Sequence, residues 1–200
     1  MTKAEKTKHF IINQVAPIFN KKGVHGTSLS DITSATGLTK GAIYGNFASK
    51  DALAMACFEF NLIFLQKGLY KSLAMRGTAV EKLVALVDFY QVHYQNIAIN
   101  GGCPLMNSAI EADDAYPILK EKVQQTFSLW KKELAGIIID SQKQMEIDIS
   151  VEADAFSNTF IAMVEGGILV AKTMDQPAYF DQVAIHLKSF VQSELKPIES

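Results

Sequence analysis

The chain has 200 residues, 48% of them apolar, and a formal net charge of −2, which supports a packed core and excludes a low-complexity or broadly disordered chain. Its two cysteines, Cys57 and Cys103, lie far apart in sequence and exclude a disulfide scaffold. With no run of about 18 apolar residues and no signal-type N-terminus, a soluble cytoplasmic protein with no membrane partner is expected.

Charge is unevenly spread. Residues 1–60 carry seven Lys against four acidic residues, a balance of +3, and the remainder balances at −5. A basic head on an acidic body suits a phosphate-binding module attached to something else. Chance unevenness is the plainer reading.

Helical periodicity runs nearly throughout. Ile11, Val15, Ile18 and Phe19 share one face of a first helix, which Pro17 should bend. Ser28 and Asp31 match a capping box at the start of a second helix, Leu29 to Thr36, and Gly37 stops it. Thr39 is placed to cap a third, Lys40 to Phe47. Ser49 precedes a fourth, over about residues 50–70. Thr78 and Glu81 repeat the capping box ahead of the stripe Val80, Leu83, Val84, Val87, Tyr90 and Tyr94. Pro104, Pro117 and Pro177 each suit a first helical position. Further stripes follow at Val123, Phe127, Trp130, Leu134, Ile137 and Ile138, at Phe156, Phe160, Met163 and Val164, and at Val183, Leu187, Phe190 and Val191. Only MEIDISV, at 145–151, is ambiguous between strand and turn. The expected class is all-α with roughly nine helices.

Residues 27–47, TSLSDITSATGLTKGAIYGNF, are polar and carry no acid after Asp31. Ile32, Ala35, Leu38, Ile43 and Phe47 would lock two short helices together across Gly37. The second helix would then present Thr39, Lys40, Gly41, Tyr44 and Asn46. A helix entering a DNA major groove needs small residues near its start, hydroxyl, amide and cationic groups, and no carboxylate facing phosphate. This segment meets those needs, although helical hairpins also form for packing alone.

The run GTSLSDITSATGLTKGAIYGNFASKDAL (26–53) resembles the DNA-binding head of the tetracycline-repressor (TetR) family of bacterial transcription regulators. The preceding FNKKGVHGTS, the TGLTKGAIY turn, the closing NF and the SKDAL opening of the next helix match together. GGCPLMNSAIEADD (101–114) and the long helix bearing Trp130 resemble one regulatory-domain branch of that family. The resemblance implies a helix-turn-helix head over 1–50 and a helical ligand-binding and dimerisation body over 51–200. It implies a homodimer reading an inverted repeat in double-stranded DNA. Thr27 and Ser28 would then contact phosphate, Thr39, Lys40 and Gly41 would face the groove, and Tyr44 and Lys50 would reach the DNA backbone. Gly45 departs from the family pattern, in which a His or a larger aromatic is frequent. The head holds no Arg (the chain's only one is Arg76), so bidentate Arg recognition of guanine is absent and Lys40 is the one cation of the groove helix.

In the body, Phe64, Phe89, Tyr90, His93, Tyr94, Met106, Phe127 and Trp130 either form plain core or line an apolar pocket for a small effector. Cys103 stands at a helix start, where a thiol is activated; it is either a sensor of oxidants or electrophiles or a small buried residue. Cys57 reads as core. Phe160, Met163, Gly166, Gly167 and Val170, with Val183, Leu187 and Phe190, would build a four-helix dimer contact or else an internal core. Glu165 is a charge within that apolar row. No nucleophile elbow, zinc-protease motif, paired-cysteine motif or phosphate loop is present, and His9, His25, His93 and His186 are scattered. Asp113–Asp114 reads as a solvated helix end. The expected protein is a ligand-released repressor, with no catalytic residues, metal or cofactor.

Overall fold

The computed structural model describes residues 1–74, 77–112 and 116–196; Arg76 and the Asp113–Asp114 pair lie outside them. Among the described residues there are nine helices and no strand. They are α1 (Lys3–Gly26), α2 (Leu29–Thr36), α3 (Lys40–Tyr44), α4 (Lys50–Leu73), α5 (Ala79–Ile99), α6 (Pro104–Ala112), α7 (Pro117–Lys143), α8 (Ala153–Thr173) and α9 (Pro177–Glu194). The MEIDISV segment forms turns. Only Ile147 in it is well buried, and no neighbouring strand offers a hydrogen-bond ladder.

The helix starts follow the local chemistry of the chain. Ser28 and Asp31 satisfy each other's backbone N–H groups, and Thr78 and Glu81 do the same before α5. Ser49 Oγ accepts from the Ala52 N–H at 3.1 Å. Pro104, Pro117 and Pro177 occupy first positions, where a missing N–H loses no intrahelical bond. Gly37 ends α2 in the left-handed conformation, φ 68°. Two boundaries differ from expectation. The break in α1 falls at Gly23 (φ 73°, ψ 177°) and not at Pro17, which the helix passes through. α3 stops at Tyr44, so Gly45 is a helix terminus and the cost of a mid-helix glycine does not arise there.

The chain forms two compact units, divided within α4 and α7. One comprises residues 1–65 and 100–123, the other residues 66–99 and 124–200. In the first, Ile11, Val15, Ala16 and Phe19 of α1 pack with Ile32, Ile43, Phe47, Leu53, Ala54 and Cys57. Burial of Cys57 pushes its thiol up to about 12, as expected of a core residue. α4 has the length and apolarity of a membrane span, but Leu53, Cys57, Phe58 and Leu62 are buried within the protein, as in a core helix.

In the second unit, α8 and α9 pack on each other and on α5. Tyr94 stacks on Phe180, with ring centroids 5.3 Å apart, and Phe156 stacks on Phe190 at 4.9 Å. The Phe89 ring lies against the Gly68 backbone, where a Cβ would collide with it. Leu86, outside the stripe read from the sequence, is fully buried, whereas Val80 and Val84 are only partly so.

Candidate nucleic-acid interface

α2 and α3 are joined by three residues and held by the side chains that the apolar spacing singled out. Ile32 and Ile43 are each about fully buried and Phe47 nearly so. Their burial fixes which face of α3 turns outward. Thr39, Lys40, Gly41 and Tyr44 are exposed on it. Thr39 caps α3 through its Oγ1, which accepts from the Ala42 N–H at 3.2 Å and leaves the hydroxyl proton to donate. Gly41 has open space around it; the nearest atom to an added Cβ would be Thr39 Oγ1 at 4.0 Å. The backbone of α3 can therefore approach a partner closely.

One expected contact is corrected. Thr27 is fully buried, and its hydroxyl donates to the Gly23 carbonyl at 2.6 Å, so its side chain is not available to phosphate. Asn46 is half-buried, and its Nδ2 donates to the Ala42 carbonyl at 2.9 Å. A five-residue helix has no later turn to satisfy its last carbonyls, and Asn46 supplies a donor. Ser28 and Lys50 remain accessible at the starts of α2 and α4, with Lys50 half-buried.

Asp31 puts a carboxylate beside Ser28 at the start of α2. Asp31 pairs with Lys22 Nζ at 2.7 Å and accepts from the Ser28 N–H and hydroxyl at 2.8 Å. Lys22 and these Ser28 donors outweigh a small opposing effect of burial and lower the Asp31 carboxyl from the ordinary 3.8 to about 2. Lys22 thus offsets the Asp31 charge beside Ser28. Because the folded value lies below the unfolded one, this contribution is complete above about pH 4 and is lost as pH falls towards 2. The difference in melting temperature between the native chain and Asp31→Asn, followed by circular dichroism, is expected to narrow over that interval. A constant difference would refute the assignment.

Lys8 was not singled out by its sequence position. Its Nζ lies 6.0 Å from the centroid of the Phe47 ring, which places a cation beside the end of α3. The only sequence signal was its membership in the basic head.

Residues 11–57 match the family model for bacterial regulatory proteins of the tetR family, and residues 79–187 match that for the tetracyclin repressor-like C-terminal domain. The chain belongs to the TetR family. A TetR-family regulator from Cytophaga hutchinsonii has 35% identity and a TM-score of 0.88 over 100% of this chain and 99% of its own. One from Chloroflexus aurantiacus has 30% identity and a TM-score of 0.92, over 98% of this chain and 100% of its own. The HTH-type transcriptional repressor DhaR of Mycobacterium sp. (strain GP1) is 22% identical over 165 residues, 82% of each chain. The all-α architecture and the DNA-binding transcription-regulator class are those of the family.

In this TetR-family regulator, the residues read as pocket candidates divide between the two compact units. Phe64, Cys103 and Met106 belong to the first, and Phe89, Tyr90, His93, Tyr94, Phe127 and Trp130 to the second. Phe89 lies beside Tyr90 and His93, with ring centroids 5.6 and 4.7 Å away, and Tyr90 lies 6.3 Å from Trp130. Trp130 Nε1 is buried and finds no acceptor among the described residues. Cys103 is only 1% exposed, which disfavours direct reaction with a reagent from solvent. Among the described residues, no group of three His, Cys, Asp or Glu side chains is placed to hold a metal.

The candidate dimer residues also separate. Phe160, Gly167 and Leu187 are buried within the second unit, and Gly167 is pressed by Val183 and Phe180 of α9. These three are corrected to internal packing: a side chain already covered by its own chain has no surface to offer a second copy. Met163, Gly166, Val183 and Phe190 are partly covered, while Val170 is 46% exposed. Leu169 of α8, Met174 just past its end and Ile185 of α9 are exposed large apolar residues that the sequence stripes did not include. Glu165 is buried in α8.

Proposed function

We propose that this regulator binds an inverted-repeat operator as a homodimer, represses transcription from it, and is released by a small apolar effector. The observation that carries the reading is the outward face of α3: Thr39, Lys40, Gly41 and Tyr44, exposed together with no acid among them. A dimer would set two such helices about 34–36 Å apart, one turn of DNA, or a multiple of it. The exposed Leu169, Val170, Met174 and Ile185 support self-association, since apolar side chains left at a surface gain most by being covered. The aromatic group around Trp130, with its unanswered indole N–H, supports an effector that is mostly apolar and carries one acceptor. Repression is the function named for the Mycobacterium relative.

On this reading residues 1–50 are the DNA-reading head and 51–200 the responsive, self-associating body of a cytoplasmic, non-catalytic protein. An effector favouring another head spacing by a few kcal/mol would release DNA. Ser28, Tyr44 and Lys50 supply phosphate contacts, and the lysines of the head neutralise phosphate charge, so binding weakens with salt. Selection of bound duplexes from a random pool tests the reading. Enrichment of an inverted repeat is the expected result; enrichment of nothing, by a chain that sediments as a monomer, would overturn it.

A further inference from the structure

α1 is broken at Gly23, and the break leaves the Val24 and His25 N–H groups without carbonyls one turn back. Both donate to one carboxylate, that of Glu111 in α6, at 2.8 and 2.9 Å. His25 Nδ1 lies 3.0 Å from the same group. The Glu111 side chain is only 19% exposed. Burial works against its charge, but the His25 and Val24 N–H donors and the His25 ring outweigh this and hold its carboxyl below the ordinary range.

The backbone is shaped around the contact. Gly23 takes φ +73°, and a Cβ there would meet Glu111 Oε2 at 2.8 Å. Nearer the start of α6, Asn107 Nδ2 donates to the Asn20 and Gly101 carbonyls, and Asn20 Nδ2 donates to the Asn100 and Gly102 carbonyls. Gly101, at φ +106°, lets that loop touch α1; its Cβ would meet Asn20 and Lys21 atoms at about 3.0–3.1 Å. Residues 23–25 lead within three residues to Ser28, whose capping box starts α2. Thr27 is tied back to Gly23.

We infer that Glu111 is a positioning residue for DNA reading: its carboxylate caps the broken end of α1 from α6 and holds the start of α2 in the pose that operator recognition needs. This rests on the operator reading above. Without the carboxylate, the segment 23–28 gains freedom that must be lost again on a specific site. Non-specific binding, which depends on surface cations and phosphate, has no such requirement.

The test uses the full chain, at a temperature where circular dichroism shows it fully helical. Glu111→Ala is expected to weaken binding to the enriched duplex about tenfold while leaving binding to random-sequence duplex within about twofold. Glu111→Gln keeps an acceptor oxygen and the side-chain shape, and is expected to fall between the two; it carries the test if the Ala variant does not fold. Affinity for the enriched duplex within about twofold of native, or equal loss on both duplexes, would overturn the proposal. Amide hydrogen exchange separates this failure from failure of the operator reading. If the native chain enriches no duplex, exchange still decides the positioning role. Faster exchange at Val24 and His25 that extends to the Asp31 amide supports it, and acceleration confined to Val24 and His25 refutes it.

Discussion

Gly41→Glu is expected to abolish specific DNA binding while the protein stays folded. Gly41 is exposed, its backbone is helical, and an added Cβ would stand 4.0 Å from its nearest neighbour, so the fold has room for the side chain. Replacing glycine inside a helix gains roughly 0.5 kcal/mol, and a carboxylate in the first turn of α3 suits the helix dipole. The melting temperature should therefore hold or rise. On the proposed reading the same carboxylate would lie where α3 meets DNA, against phosphates and acceptor-rich base edges. Like-charge contact at an interface costs several kcal/mol, so affinity for the enriched duplex should fall at least about a hundredfold. Gly41→Ala, measured beside it, separates bulk from charge. Native-like affinity in the Glu variant would mean that α3 is not the reading helix.

Phe160→Ala is expected to lower stability by about 3–5 kcal/mol, since a fully buried ring is replaced by a methyl group and its neighbours close only part of the space. Phe160 stacks near Phe156, with ring centroids 6.3 Å apart, and Phe156 stacks on Phe190 of α9. The deletion therefore weakens the α8–α9 contact from inside one chain. Urea unfolding at fixed protein concentration measures the loss, because stability and association are linked in an oligomer. Phe160 and Ile185 then behave oppositely. Ile185 is 61% exposed, so Ile185→Glu should change stability of the chain itself by no more than about 0.5 kcal/mol and act instead on sedimentation. A small effect on stability at Phe160, with a change in sedimentation, would return that residue to the proposed dimer contact.

What the sequence determined by itself was local. The capping pairs Ser28–Asp31 and Thr78–Glu81, the stop at Gly37 and the prolines opening α6, α7 and α9 all act over a few residues, and residue type alone carries their chemistry. The outward face of α3 was legible for the same reason: once Ile32, Ile43 and Phe47 are assigned inward, helix geometry leaves Lys40, Gly41 and Tyr44 exposed. Tertiary structure decided the rest. Thr27 looked like a free hydroxyl until the break at Gly23 brought a carbonyl to it. Asn46 Nδ2 bonds back to the Ala42 carbonyl where α3 ends early. Phe160 and Val170 belong to one apolar helix, and periodicity says which residues share a face but not what covers it; the packed unit buries Phe160 and leaves Val170 exposed. Glu111 meets Val24 across 87 positions of chain. No spacing rule reaches that far, because only the packing of α6 on α1 brings the acceptor to its donors.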